Sequence, residues 1–407
     1  MSGNLLPSRS SQQSATDCRT PPIDALSDDT LSGDALSGGA VLRQRLETEA
    51  RRLEFDAFAI APALPADGFP HLMQWIESGY AAGMDYFQKR AEAYRHPDGV
   101  LAGARSIIVL TKRYASNDHV PPLSSAEGRI ARYVWGHEDY HDVIHPKLKQ
   151  LCRVITDASP DAAARGVVDT APLMEREIAQ LAGLGWRGKN TLLLNKFVGS
   201  YFFLACVLTN LELPIDSPHV ADHCGTCTAC LDACPTDAFP QPGVLDANRC
   251  ISYLTIENRG PIPLELRDPL GDWLFGCDVC QQVCPWNQRQ ASRSRRRTNV
   301  IPETNTLPDS VEADSDESVT KTTGTEEAAL DRLSLCELFD LTDEQFRARF
   351  RKTPLWRARR RGILRNAAIV LGNSRDPAAL EALQKGLLHE DEIVQEACQW
   401  AIEKLGV

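Results

Sequence analysis

The chain has little that would carry it into or across a membrane. Its N-terminus, MSGNLLPSRSSQQSATDCRT, lacks a basic start followed by an apolar core, and Asp24, Asp28 and Asp29 argue against a transit peptide. The strongest apolar run, FVGSYFFLACVLTNL from Phe197, is too short and too interrupted to span a bilayer. A cytoplasmic protein with no membrane partner is expected. Positive charge is also in deficit, with 44 Lys and Arg against 55 Asp and Glu and a formal charge of −11. Any contact with nucleic acid must therefore rest on a local patch.

With 407 residues, 43% of them hydrophobic, the chain can bury more than one core, because single cores stop growing at roughly 250–300 residues. Residues 1–40, rich in Ser, Gly, Asp and Thr, are expected to stay unordered. Across 41–215 a helical pattern, VLRQRLETEARRLEF, precedes strand-like runs at 106–115 (SIIVLTKRYA), 129–135 (RIARYVW) and 166–170 (GVVDT), and then YFFLACVLT. APLMEREIAQLAGL reads as a helix with Pro172 near its first turn. Strands alternating with helices point to an α/β unit. Residues 216–290 offer loops and short helices with little apolar core, which suits folding coupled to metal binding. Residues 291–330 read as a disordered insertion, basic and then acidic: 301–328 hold eight acids and one lysine. From 331 to 407 the chain is helical, with stacked antiparallel pairs and a possible HEAT-like repeat.

Thirteen cysteines might suggest disulfides, but eight crowd between 224 and 284 in a large chain without an export signal, a pattern better suited to metal. Cys18, Cys152, Cys206, Cys336 and Cys398 are scattered and read as packing or surface residues. CGTCTACLDACP, from Cys224, and CDVCQQVCPW, from Cys277, pack thiols too tightly for two zinc ribbons. The spacing resembles bacterial-type ferredoxins, in which three cysteines bind one 4Fe–4S cluster and a fourth, before proline, crosses to the other. Cys224, Cys227, Cys230 and Cys284 should hold one cluster. Cys234, Cys277 and Cys280 should hold the second, with Cys250 of DANRCISYL supplying the missing sulfur. Two clusters in a row form a wire, and the α/β unit ahead of them implies a substrate or second cofactor at its end.

Gly183, Gly188 and Lys189 match GxxxxGK, but Asn190 replaces the Ser or Thr that would bind magnesium, and the preceding residues read as helix rather than strand. Asp169, where a strand meets a helix start, suits either catalysis or capping, and spacing alone favours the cap. HEDYHDVIH groups His137, Glu138, Asp139, Tyr140, His141 and His145. The group reads as a polar loop entering a helix rather than a metal site, with Tyr140 and His141 as possible proton donors.

Together, RYVWGHEDYH, VVDTAPLMER, GLGWRGKNTLLL, the two cysteine runs with Cys250, and LRNAAIVLGN resemble the epoxyqueuosine reductase family, in order, over roughly 41–290 and 330–405. The N-terminal extension and the acidic insertion are departures that remove no motif residue. The resemblance implies an α/β (α+β) cobalamin-binding domain, a ferredoxin-like two-cluster domain and a C-terminal α-helical HEAT-like domain that contacts tRNA. It implies reduction of epoxyqueuosine to queuosine at the tRNA wobble position by a monomer fed by an external low-potential electron donor. Electrons would pass through two 4Fe–4S clusters to cobalamin. The departing epoxide oxygen needs a proton, which the resemblance assigns to Asp169. Donation at neutral pH then calls for an apolar, partly desolvated site beside the corrin. Arg132, Lys189, Asn190, Thr191, Ser252, Asp278 and Asp169 itself are the expected cobalamin contacts. For tRNA, RARFRKTPLWRARRRGILR, 347–365, has nine basic residues and no acid, and RQASRSRRR, 289–297, adds five arginines. The alternatives are a reductive dehalogenase-like corrinoid enzyme and a ferredoxin-type electron carrier with a helical docking scaffold.

Overall fold

The run SIIVLT is buried on both faces because successive strand residues point to opposite sides. Ile108 and Leu110 face one apolar layer with Ile60 and Val207, while Ile107 and Val109 face another with Ala59, Ala61 and Cys206. A computed structural model describes residues 38–114, 123–136, 138–288, 330 and 332–406. His137, 289–297 and 301–328 lie outside the described residues, as does nearly all of the segment expected to be unordered. Of that segment, residues 38–40 open the helix Gly38–Arg52.

The strands are β1 Ala57–Pro62, β2 Ser106–Arg113, β3 Glu127–Ile130, β4 Ala164–Val167, β5 Trp186–Arg187, β6 Leu193–Leu194, β7 Phe202–Thr209, β8 Trp273–Phe275 and β9 Arg332–Ser334. Four of them form a sheet of order β1-β2-β7-β4 in which every neighbouring pair is antiparallel. The unit is therefore α+β rather than a parallel α/β sheet. Alternation of strands and helices along a chain does not fix strand direction, and here the chain returns to neighbouring positions in the opposite sense. On one face the helix Gly38–Arg52 buries Leu42, Leu46 and Ala50, and packs with Ile144, Leu148, Leu151 and Ile155 of the helix Tyr140–Thr156. Helix Glu175–Leu181 contributes Ile178 and Ala179 to the other face.

The strand expected over 129–135 ends at Ile130, and Arg132–Val134 forms a 3-10 turn. The Arg132 N–H leaves the ladder and donates to Asp278 Oδ2 at 2.7 Å. The expected helix from Ala171 starts only at Glu175, because Pro172 and a tight turn, with Thr170 N–H donating to Val168 O at 2.7 Å, hold 168–173 outside helical geometry.

β3 pairs in parallel with β8 and antiparallel with β9, joining three distant stretches of chain in one small sheet. Around it lies a single core that includes Ile130, Ile251, Leu254, Leu266, Phe275, Leu335, Phe346, Leu364 and Ala401. The helices Ile251–Ile256 and Leu264–Leu270 of the cysteine-rich segment thus share their interior with the C-terminal helices Leu335–Asp340, Asp343–Phe350, Arg359–Ser374, Leu380–Leu387 and Glu392–Leu405. The boundary expected between 216–290 and 331–407 is not a boundary between cores. Helix Arg359–Ser374 is buried continuously from Gly362 to Gly372. Within it Arg365, 2% exposed, donates to the carbonyls of Leu254, Asn258 and Gly260, while Asn366 donates to those of Thr255 and Leu274. Among the described residues no helix is long and apolar enough to cross a membrane.

Candidate active site

Asp169 follows the end of β4 with φ +58, a left-handed conformation that a non-glycine residue adopts only when its surroundings enforce it. Two contacts do so. Its N–H donates to Glu175 Oε1 at 3.2 Å, and its Oδ2 accepts from Tyr140 Oη at 2.8 Å. Tyr140 is fixed in turn by stacking on Phe203, with centroids 4.3 Å apart. Asp169 is not a helix cap: Met174 holds that position, and the Asp169 carboxylate caps no backbone N–H. Nor is it desolvated by the protein, since its side chain is 69% exposed. The buried acid is its neighbour Glu175, whose carboxyl is pushed up to about 8 by burial first and by the charge of Asp169 second, although its side chain still faces the cleft. Glu175 lies within VVDTAPLMER, and nothing in its spacing alone marks it as an acid of the site. Its position, opening a helix just after a proline turn, was the available signal.

These residues border a cleft of about 200 Å³, lined also by Arg176, Leu193, Ser200, Phe202 and Leu204. Arg176 donates to the carbonyl of Thr191, another residue in the left-handed region. Ser200 ties the cleft wall to the second cysteine run. Its N–H donates to Asn287 Oδ1 at 2.8 Å and its Oγ to Gln281 Oε1 at 2.8 Å, and Gln281 donates to Asp278 Oδ1 at 3.1 Å. Gly199, with φ +67, stands so close to Asn287 that a Cβ would collide with it. This buried chain of polar groups was missed in the sequence, where nothing marks Asn287 or Ser200 as partners.

The shifted thiols feel one another mainly within two sets, although Cys280 also feels Cys230. Burial raises the Cys230 thiol to about 11, and the next contributors are Cys284, Cys224 and Cys227. Burial raises Cys280, with Cys277 and Cys250 next, and Cys277 in turn feels Cys250 and Cys234. Such a site is costly to fill with thiolates alone. Among the described residues no three His, Cys, Asp or Glu converge as ligands of a single ion. Trp186 Nε1 donates to Cys224 Sγ at 3.4 Å and Ala238 N–H to Cys234 Sγ at 3.4 Å, contacts of the kind that tune cluster potential.

The other expected contacts are spread around this junction. Arg132 is buried over the Tyr201 ring, 4.8 Å from its centroid, and its Nε has no partner. Asn190 is buried with Nδ2 unpartnered. Lys189 Nζ donates to the carbonyls of Gly225 and Cys227, bracing the first cysteine loop, and Gly183 follows a helix, so no phosphate loop forms. Burial raises the Cys250 thiol, while N–H groups of Tyr253 and Ser252 draw it back. Asp278 is 2% exposed and lifted to about 6 by burial, against the pull of Arg132.

In the basic stretch, Arg347, Arg349, Arg351, Lys352, Arg357 and Arg359 are exposed. Arg365 does not belong with them, because it is buried on carbonyls. Arg357 pairs with Glu257 at 2.8 Å and feels the charge of Asp169, which places one end of the basic face beside the cleft.

The family model for a 4Fe-4S double cluster binding domain matches residues 223–287, and that for epoxyqueuosine reductase QueG, DUF1730, matches 95–170. The epoxyqueuosine reductase of Pseudomonas aeruginosa PAO1 is 38% identical over 371 residues, covering 90% of this chain and 95% of that one. The chain belongs to the epoxyqueuosine reductase family. A crystal structure of epoxyqueuosine reductase with an epoxyqueuosine-modified tRNA-Tyr stem loop superposes with a TM-score of 0.74 at 31% identity, covering 90% of this chain and 91% of that one. The Bacillus subtilis epoxyqueuosine reductase, solved with its catalytic aspartate loop swung out of the active site, gives 0.73 at 30% identity over 90% of both chains. Members of the epoxyqueuosine reductase family are oxidoreductases, and neither the dehalogenase nor the electron-carrier alternative is favoured by these relatives.

Proposed function

We propose that this chain reduces epoxyqueuosine in tRNA to queuosine, with Asp169 giving a proton to the departing epoxide oxygen. The observation that carries the reading is the cleft itself. Its mouth holds Asp169 against Tyr140, and its wall is bonded through Ser200 to Gln281 and Asn287, which flank Cys280 and Cys284. Proton chemistry and electron supply thus meet across a few buried hydrogen bonds.

Cys224, Cys227, Cys230 and Cys284 would hold one 4Fe–4S cluster, and Cys234, Cys250, Cys277 and Cys280 the other; their grouping supports this division. Bound there, the clusters would supply single electrons drawn from an external low-potential donor. Of the expected contacts, Arg132, Asn190, Thr191 and Ser252 would hold cobalamin beside Asp169. The buried, unpartnered donors Arg132 Nε and Asn190 Nδ2 fit a ligand edged with amide carbonyls. Cobalamin, when bound, supplies the metal centre that passes electrons to the substrate carbon. Lys189 and Asp278 are engaged within the protein and act by shaping the loops they hold. Tyr140 keeps the Asp169 carboxyl oriented, because burial and the Asp169 charge hold its phenol protonated. The exposed arginines of 347–359 neutralise tRNA phosphates, the C-terminal helices form the HEAT-like scaffold that presents them, and the chain works as a cytoplasmic monomer.

The test is reaction of the anaerobically reconstituted protein with epoxyqueuosine-containing tRNA and reductant, with and without cobalamin. Loss of one oxygen from the modified nucleoside, seen by mass spectrometry only with cobalamin, is expected. An unchanged nucleoside mass in the complete mixture would overturn the reading.

A further inference from the structure

Opening an epoxide to an alkene and water breaks two C–O bonds, forms one C=C π bond and two O–H bonds, and consumes two electrons and two protons. The electrons come from the reductant of the proposed reaction. Asp169 holds one proton, so a second must reach the site in every turnover.

The structure offers one well-built route. Asp139 precedes the helix Tyr140–Thr156 and accepts both the backbone N–H and the ring Nδ1 of His141, the latter at 2.8 Å. A carboxylate only accepts, so Nδ1 carries the hydrogen and Nε2 is the working atom. His141 Nε2 is buried, has no hydrogen-bond partner and lies 4.0 Å from Asp169 Oδ2. The ring is clamped by Tyr140, with centroids 4.1 Å apart. Its other edge is open: the side chain is 27% exposed, and the His145 ring follows at 6.1 Å. Asp139 is itself anchored, its N–H donating to Lys352 O at 2.8 Å.

Resting on the functional reading above, we propose that His141, oriented by Asp139, reloads Asp169 with the second proton of each turnover. After Asp169 protonates the departing oxygen, imidazolium Nε2–H passes its proton to the Asp169 carboxylate. Nδ1–H stays on Asp139, and Nε2, the one basic atom of the neutral ring, takes its next proton from water that enters the cleft once product has left. Closing the 4.0 Å gap needs a shift of about 1 Å, the usual tightening of a catalytic hydrogen bond when substrate arrives. Neighbouring groups are less suited. Tyr140 keeps its proton, and Glu175 addresses the backbone N–H of Asp169 rather than its carboxylate.

His141 acts through Asp169, so its test must separate relay from scaffold. In His141→Ala, kcat should fall about 10- to 100-fold while the KM for tRNA and the iron content stay unchanged, and added imidazole should restore turnover. Asp139→Asn should lower kcat in the same direction without imidazole rescue. A loss that imidazole leaves untouched, or normal turnover in His141→Ala, would overturn the proposal. A second readout needs no turnover: in the cofactor-free protein labelled with 15N-histidine, His141 should carry its hydrogen on Nδ1, and Asp169→Asn should move its Nε2 resonance. If the wild type leaves epoxyqueuosine unreduced, the functional reading fails, and the NMR result still judges the Asp139–His141–Asp169 arrangement. An unmoved Nε2 resonance sinks it.

Discussion

The sheet that carries Asp169 and the loops that carry the eight thiols are kept in shape by different forces. β2 and β7 send alternate residues into two apolar layers, so the backbone beneath Asp169 and Tyr140 is set by side-chain burial before any ligand arrives. Among the described residues the cysteine loops have a small buried cluster of Trp186, Leu194 and Cys284 at their centre, and the helices between them share one core with the C-terminal helices. Cys230, Cys277 and Cys280 are driven up by burial and by neighbouring thiols, an arrangement that becomes favourable when iron takes the protons' place. The proposed proton chemistry thus sits on a scaffold set by side-chain burial, while the proposed electron path depends on the clusters its loops would carry.

Removing a thiol tests this contrast most severely. Cys284→Ala should cost about half of the bound iron and nearly all activity, because a crossing ligand is lost from its cluster; full iron content by colorimetric assay would contradict the pairing. Asp169→Asn should lower conversion of tRNA by about 10²- to 10⁴-fold, with iron content and unfolding midpoint unchanged, and near-normal turnover would exclude it as the proton donor. Arg365→Met should destabilise the protein by about 3 kcal/mol in denaturant titration, since several carbonyls lose their donor together, whereas Arg349→Gln should stay within about 0.5 kcal/mol.

Glu175→Gln probes the scaffold side. The carboxyl is held near 8 in the folded chain against a usual 4.5, so the folded state binds the proton more tightly than the unfolded one. Its contribution is complete below the unfolded pKa and is lost as pH rises through about 8. Wild-type cofactor-free protein should therefore lose about 2 kcal/mol relative to the variant between pH 5 and 8, by urea unfolding; parallel curves would show that Glu175 ionises freely. The smallest effect is on the RNA face, where Arg349→Gln should lower the slope of log affinity against log salt by about one.

The two-cluster domain was legible because ligand spacing is a one-dimensional signal: both cysteine runs and Cys250 lie within 223–287, the span that matches the 4Fe-4S double cluster family model. Strands β2 and β7 were legible as apolar runs, but their antiparallel pairing was not, since direction depends on where the chain goes between them. Arg365 counted as part of a basic face although it sits in GILRNAAIVLGN, apolar on every side, which is the mark of an enclosed helix. Asp169 was legible only through the family's motif. Its neighbours Glu175 and His141 reach it through a turn and a packing contact that residue spacing does not encode.

The small sheet around β3 also sets an order of events during synthesis. β3 closes at Ile130, but its flanking strands come from Trp273–Phe275 and Arg332–Ser334, and the helices that cover Ile251 and Phe275 emerge later still. A nascent chain displays its eight clustered thiols while that edge is still unpaired and those apolar residues are still wet. Iron that arrives before the C-terminal helices emerge meets a half-finished pocket.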